Sequence, residues 1–116
     1  GIKKSDNGFV TFGEAYFSWI DFDAIKAWKK HLKMTCNIIV PMGNVKFVIY
    51  DEDLNNFVEH NIGSRNYVRL TIPAGLWFGF KGLSRDGNLI LNIANIKHDP
   101  LEVDKVGLSE IIYKFW

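Results

Sequence analysis

The feature that most constrains the fold of this sequence is a repeated alternation of apolar and polar residues with a period of two. Within the run 45–50 the odd-numbered residues are Val, Phe and Ile, and they share one face of an extended chain. The runs 68–72 and 89–93 alternate in the same way. Further segments rich in aromatic and β-branched residues predict strands at 9–12, 15–20, 25–29 and 35–40.

Turn-forming residues separate these runs. The segment 41–44 (PMGN) lies between two apolar runs and predicts a hairpin turn. The segments 62–66 and 86–88 each contain a glycine, which accepts positive φ without steric cost, and 51–53 (DED) ends a strand. Seven or eight short strands joined in this way predict an all-β sandwich or barrel.

Helical periodicity is scarce in this sequence. Leu54, Phe57 and Val58 fit one helical turn, and the apolar positions of 108–115 fit the same spacing, so a short helix is expected at each place. No internal repeat or low-complexity segment interrupts the pattern.

Length, charge and cysteine content exclude several classes of protein. The chain has 116 residues, with 14 Lys+Arg against 13 Asp+Glu, a net charge of +1 that argues against a basic nucleic-acid clamp. Apolar residues make up 47%, enough for a core, and we expect one domain spanning residues 1–116. Cys36 is the single cysteine, so no internal disulfide is possible. We expect no membrane span and, without a signal segment, a cytoplasmic protein.

Four motifs, in order along the chain, resemble those of one family. The run 70–80 (LTIPAGLWFGF) resembles the I-P-x-G-x-x-H-G-F segment of the RmlC-like cupins, and 96–102 (IKHDPLE) resembles their Y-x-P-E-x-E stretch. The run 25–31 (IKAWKKH) lies where the family carries R-G-L-H or R-G-x-H-A-H, and 43–46 (GNVK) lies where ketoisomerases carry G-S-V-K. The resemblance implies a double-stranded β-helix, the cupin jelly roll of the dTDP-4-dehydrorhamnose 3,5-epimerases and dTDP-4-keto-6-deoxyhexose 3,4-ketoisomerases.

The chain departs from the epimerase pattern at its chemical positions. Such an epimerase removes the proton next to a ketone with a histidine and returns a proton from a tyrosine. By motif, Lys29 stands at the place of that histidine and Asn92 at the place of the tyrosine, while Phe78 replaces the histidine of the turn motif. Epimerase chemistry in its usual form is therefore in doubt.

The ketoisomerase pattern fits better. Its H-A-H aligns on residues 29–31, so its second histidine is retained as His31. Lys29 and His31 are two apart on a strand and share one face, where a desolvated Lys29 could act as base and an imidazole titrates near neutral pH. Tyr16 is the expected acid or enediolate ligand. The competing interpretations are a solvent-facing lysine, a structural histidine and a core tyrosine.

The resemblance also implies a substrate and partners. We expect a nucleotide sugar, with Lys26 and Arg69 neutralising its diphosphate, Trp28 stacking on it, and Asn92 and Phe78 contacting it. Lys29-x-His31 and Phe78 leave too few ligands for a first-row metal, so no metal and no cofactor are expected. The function expected is a 4-keto-6-deoxyhexose nucleotide epimerase or isomerase in surface polysaccharide biosynthesis. The alternatives are a non-catalytic cupin that binds a sugar or sugar nucleotide, and a structural partner of a larger glycan-synthesis enzyme. A homodimer joined through edge strands is expected, with no nucleic acid and no membrane as partner.

Overall fold

The alternating segments of the sequence form two antiparallel sheets that pack face to face. A computed structural model describes residues 12–115. In this part of the chain the strands are β1 (Glu14–Ile20), β2 (Ile25–His31), β3 (Cys36–Met42), β4 (Asn44–Asp51), β5 (Asn56–Gly63), β6 (Leu70–Ile72), β7 (Trp77–Gly82), β8 (Asn88–Ala94) and β9 (Val103–Lys105). One sheet has the order β1-β8-β3-β6 and the other β5-β4-β7-β2-β9.

The chain changes sheet at every connection except the hairpin between β4 and β5. The chain thus passes back and forth between the two sheets as it advances along the sandwich. The expected all-β jelly roll, a double-stranded β-helix, is confirmed. Within residues 12–115 no helix is long and apolar enough to cross a bilayer.

The inner faces of both sheets carry the apolar half of each alternating run. Phe47 and Val45 on β4, Ile38 on β3 and Ile90 on β8 are all at most 4% exposed and belong to one core cluster. The register of β4 with β7 places Phe47 opposite Phe80, so both rings enter this cluster. Burial of these side chains is the main favourable contribution to folding.

The outer face of the five-stranded sheet has a second apolar cluster. Trp28, Val48, Trp77 and Phe115 are buried there, and the last described segment of the chain covers them. Phe115 lies 5.4 Å, centroid to centroid, from the Trp28 ring. This cluster fixes the outward side of β2, the strand that carries His31 on its inward side.

The turn motif at 73–75 joins the two sheets, as the sequence suggests. It links β6 in one sheet to β7 in the other, and Gly75 has a φ of +90°, which favours glycine. The amide of Gly75 donates to the carbonyl oxygen of His31 at 2.7 Å. The corner therefore holds the end of β2 in place.

Several local expectations differ from the structure. The segment 41–44 is no hairpin, because β3 continues through Met42 and pairs in a different sheet from β4. The short helix at Leu54 is wrong: β5 begins at Asn56, where Phe57 packs on the outer cluster. At 108–115 only Leu108–Glu110 forms a 3-10 turn. Of the strand expected at 9–12, residues 9–11 lie outside the described part and Phe12 is not in a strand.

Candidate functional site

Lys29 and His31 lie on the inward face of β2. In the antiparallel pairing of β2 with β7, Lys29 is opposite Phe78 and Lys30 is opposite Trp77. Phe78 belongs to the inner core and Trp77 to the outer cluster, so Lys29 points inward and Lys30 outward. The expectation that Lys29 and His31 share the sheltered face is confirmed, and His31 is only 6% exposed.

A buried carboxylate holds His31. The Nδ1 nitrogen of His31 donates to Oε1 of Glu102, which is 3% exposed. The other oxygen, Oε2, accepts from the backbone amides of Lys33 and Met34, each at 3.1 Å. Burial alone would raise the pKa of the Glu102 carboxyl, but the hydrogen bonds from His31 and the two amides outweigh it and lower that pKa. Glu102 therefore remains a carboxylate, and its hydrogen bond holds the imidazole proton of His31 on Nδ1.

Local sequence explains why Glu102 points inward. Asp99 accepts from the amide of Leu101 at 3.0 Å and caps a 3-10 turn whose first residue is Pro100. The turn leads into β9, where Val103 pairs with His31. Sequence reasoning included Glu102 in a motif but gave it no role, and the Asp-Pro turn ending in glutamate was the available signal.

The other ring nitrogen of His31 has no hydrogen-bond partner within residues 12–115. This nitrogen, Nε2, is buried, and the ring stacks on Phe78 with centroids 6.1 Å apart. A neutral imidazole with its proton on Nδ1 carries a lone pair on Nε2. The pair His31–Glu102 thus presents a proton acceptor in a sheltered interior, the arrangement that general-base catalysis requires.

Two cavities meet at Lys29. One, of about 360 Å³, is lined by Lys26, Ala27, Trp28, Lys29, Phe78, Phe80, Lys105 and Val106. The other, of about 290 Å³, is lined by Glu14, Tyr16, Lys29 and His98. Burial, and then the nearby charge of Lys105, lowers the pKa of the Lys29 ammonium. Sequence reasoning missed Lys105, which lies opposite Lys29 in the pairing of β2 with β9.

Tyr16 reaches the same interior from the opposite sheet. The Nδ2 group of Asn92 donates to the Tyr16 hydroxyl at 2.9 Å and lies 3.4 Å from the Sγ of Cys36. Burial raises the pKa of Tyr16, and the bond from Asn92 opposes this only partly. Tyr16 therefore keeps its proton at neutral pH and can donate it. The Oδ1 atom of Asn92 is buried and has no hydrogen-bond partner in the described part of the chain.

The remaining candidates divide between the site and the scaffold. Lys26 lines the larger cavity and donates to the carbonyl oxygen of Trp19 at 3.1 Å. Trp28 also borders that cavity, but its Nε1 donates to the Ile111 carbonyl at 3.0 Å and its ring lies in the outer cluster, which fits packing better than substrate stacking. Arg69 precedes β6 at the far edge of the other sheet and lines neither cavity.

Metal ligands do not converge in the part of the chain that the structure describes. Residues 12–115 contain no group of three or more His, Cys, Asp or Glu side chains placed to hold an ion. The expectation of a metal-free, cofactor-free site stays a prediction.

Comparison with known proteins places this geometry in context. No family model matches the chain. It is 27% identical over 100 residues to a probable low-salt glycan biosynthesis epimerase, Agl13 of Haloferax volcanii, an alignment that covers 78% of this chain. The chain spans 62% of the length of that relative.

Solved structures match more completely. The dTDP sugar isomerase of Desulfovibrio desulfuricans G20 superposes with a TM-score of 0.87 and 30% identity, over 91% of this chain and 71% of that one. A dTDP-4-dehydrorhamnose 3,5-epimerase of Sulfolobus tokodaii (TM-score 0.77, 17% identity, 90% of this chain and 64% of that one) shares the fold. So does the 3,4-ketoisomerase QdtA of Thermoanaerobacterium thermosaccharolyticum (0.72, 19%, 82% and 67%). The chain belongs to the RmlC-like family of dTDP-sugar isomerases and epimerases.

Proposed function

We propose that this protein isomerises or epimerises a 4-keto-6-deoxyhexose nucleotide by removing a proton next to the ketone, in the synthesis of a surface glycan. The observation that carries the proposal is the buried Nε2 of His31, which has no partner among the residues that the structure describes, while Glu102 accepts from Nδ1. The relatives named as a dTDP sugar isomerase and as a glycan biosynthesis epimerase support the substrate class.

The proposed reaction begins at His31. Nε2 takes the proton from the carbon beside the ketone, and the Glu102 carboxylate stabilises the imidazolium that forms. Negative charge then develops on the former keto oxygen. Tyr16, protonated at neutral pH, donates a hydrogen bond or a proton to that oxygen. Return of the proton to the former keto carbon, with loss of the hydroxyl proton from the first carbon, gives a ketoisomer, and return to the other face of the first carbon gives an epimer.

When His31 and Tyr16 act alone, ketoisomerisation is the outcome we favour. Asn92 stands where the motif comparison puts the epimerases' tyrosine, and an amide does not transfer protons usefully near neutral pH. Its Nδ2 instead donates to the Tyr16 hydroxyl and orients it. A single acid at Tyr16 and a single base at His31 suffice to move a proton between adjacent carbons.

The diphosphate has a matching surface. Lys26 and Lys105 line the larger cavity beside Lys29, and among residues 12–115 no carboxylate lines it. Lysine ammonium groups bind phosphate as point charges. We propose this lining, rather than Arg69, as the place where the nucleotide's negative charge is neutralised.

The second candidate function is a non-catalytic receptor for a sugar or sugar nucleotide. The observation that favours it is that Lys29, Asn92 and Phe78 occupy places where epimerases carry catalytic groups. Such a receptor would bind the nucleotide sugar without exchanging its protons with solvent, and this difference separates the two proposals.

The decisive experiment measures proton exchange. TDP-4-keto-6-deoxyglucose is incubated with the protein in deuterated water, and incorporation at the carbon next to the ketone is followed by NMR. We expect exchange that His31→Asn abolishes and His60→Asn leaves unchanged, because His60 lies on β5, at the edge of the sheet opposite to the paired strands β2 and β9. Binding by calorimetry without any exchange would favour the receptor, and full exchange in His31→Asn would refute the role of His31.

We also propose a homodimer, joined through the outer face of one sheet and not through edge strands as the sequence analysis expects. On the outer face of the sheet β1-β8-β3-β6, the side chains of Phe17, Trp19 and Met42 are 62%, 46% and 54% exposed. The register places Phe17 beside Leu91 and Ile39, so the apolar row crosses three strands, and an uncharged flat face best fits a second copy of itself. We expect a dimer by light scattering that Phe17→Asp dissociates and Val58→Asp, on β5, does not. A monomeric parent protein would refute the dimer. The cytoplasmic location stays a prediction.

A further inference from the structure

The Lys29 amino group has surroundings that are unusual for a lysine. It projects from the inward face of β2 with Nζ 6.0 Å from the centroid of the Phe78 ring. Within residues 12–115 no carboxylate forms an ion pair with it, in contrast to the neighbouring Lys30, which pairs with Glu52 at 2.7 Å on the outer face. Lys29 is half-buried at the wall of both cavities, and a desolvated lysine without an ion-pair partner among residues 12–115 is a candidate for chemistry.

The surroundings of Lys29 favour a neutral amine. Lys105 is its direct cross-strand neighbour, and Lys26 lines the same cavity. Burial lowers the pKa of Lys29 first, and the charge of Lys105 lowers it further. A lysine that is desolvated and placed beside another cation is the arrangement that makes an amine nucleophilic toward carbonyl groups.

The base of the site stands beside this amine. His31 follows Lys29 by two residues on the same face, and its ring stacks on the same Phe78 ring that lies beside Lys29. A ketone bound against Phe78 would thus lie near both the Lys29 amine and the His31 ring. This juxtaposition suits a reaction in which one group activates the carbonyl carbon and the other removes a proton from its neighbour.

We propose that Lys29 forms a transient imine with the keto carbon of the substrate. The inference rests on the proposed function, because it needs a 4-keto sugar nucleotide in the site. It gives Lys29 a covalent role that differs from acting as a base.

The chemistry balances without any further reactant. Nζ of the neutral amine adds to the keto carbon, the oxygen leaves as water with both amine protons, and one proton from solvent gives a protonated imine. His31 takes the proton from the adjacent carbon, and the electron pair of that C–H bond forms an enamine while the imine nitrogen becomes neutral. Reprotonation of the same carbon, on either face, restores a protonated imine, and water hydrolyses it, releasing the product, the Lys29 amine and one proton. This route therefore exchanges the proton or epimerises that carbon, and it does not move the ketone.

The test is reductive trapping. The protein is incubated with TDP-4-keto-6-deoxyglucose and cyanoborohydride, which reduces a protonated imine to a stable secondary amine, and its intact mass is measured. We expect a gain equal to the substrate less one water plus two hydrogens, located on Lys29 by peptide mapping. Lys29→Arg should abolish the adduct and Lys30→Arg should retain it, with circular dichroism confirming that both variants fold.

A parallel deuterium-exchange measurement separates the two proposals. Proton exchange without any adduct would overturn the imine and leave the proposed function intact. An adduct on other lysines, or one retained in Lys29→Arg, would likewise overturn the imine. Absence of both exchange and adduct would overturn the imine and the proposed function together. Because the parent protein itself is trapped and mapped, misfolding of a variant does not affect the outcome.

Discussion

Replacing Glu102 with glutamine should disable His31 by changing its tautomer. One carboxylate oxygen accepts from two backbone amides and the other from Nδ1 of His31. A glutamine that keeps both amide bonds must place its carbonyl oxygen there and turn its NH₂ group toward Nδ1. Two donors would then face each other, so the imidazole proton moves to Nε2 and the lone pair that serves as base is lost.

The expected loss combines two effects. A charge-assisted hydrogen bond to the imidazolium contributes about 1.5–3 kcal/mol, which corresponds to roughly a 10- to 150-fold change in rate. The wrong tautomer adds to this, as it does when the carboxylate of a catalytic triad becomes an amide, so we expect proton exchange to fall by about 10³- to 10⁴-fold. The assay is the initial rate of deuterium incorporation from deuterated water at saturating substrate.

A matched control isolates the cause. Glu52→Gln makes the same chemical change at an exposed carboxylate that pairs with Lys30, and it should leave the exchange rate unchanged. If Glu102→Gln exchanged protons within about threefold of the parent rate, the argument that Glu102 fixes the His31 tautomer would be wrong.

The same substitution has a consequence for stability against pH. The pKa of the Glu102 carboxyl is lowered from its ordinary value of 4.5 in the folded protein. The carboxylate therefore stabilises the fold at pH values above 4.5, and this stabilisation is lost as the pH falls through the folded-state pKa of Glu102. The free-energy difference between parent and Glu102→Gln in urea denaturation should shrink below about pH 4.5. If this free-energy difference stayed constant on acidification, the conclusion that the ionised form of Glu102 stabilises the fold would be wrong.

Two further predictions concern the scaffold. Gly87 has a φ of +101°, and a Cβ there would lie 1.8 Å from the Trp19 ring, so Gly87→Ala should lower the free energy of unfolding by about 1–3 kcal/mol. A Cβ at Gly107 would meet nothing within 4 Å, so Gly107→Ala should change this free energy by less than about 0.5 kcal/mol. Equal urea midpoints for the two variants would contradict this prediction. Burial, followed by the hydrogen bond to Glu59, raises the pKa of Tyr113 to about 12, so stability from this contact is present below the ordinary value of 10.0 and is lost as the pH rises toward 12. Ultraviolet titration should show a tyrosine ionisation near 12 that Tyr113→Phe removes, besides the raised ionisation of Tyr16, and a parent protein without an ionisation near 12 would refute it.

Local sequence predicted most of the strands and the corner between the sheets. Period-two alternation requires one buried face, and Pro73 and Gly75 end one strand and bend the chain toward the next. The same logic failed at Leu54, because an isolated helical turn has no stability of its own and the segment after it pairs with β4 instead.

Local sequence also predicted that Lys29 and His31 share a face, since side chains two apart on a strand always do. The direction of that face depended on β7 lying beside β2, which pairs Lys29 with Phe78. The partner of His31 could not be predicted in the same way. Glu102 lies 71 residues further along the chain, and only the pairing of β9 with β2 brings its carboxylate to Nδ1. Alternation is a property of neighbouring residues and is written in the sequence, whereas a buried hydrogen bond between distant strands exists only once the sheets have packed.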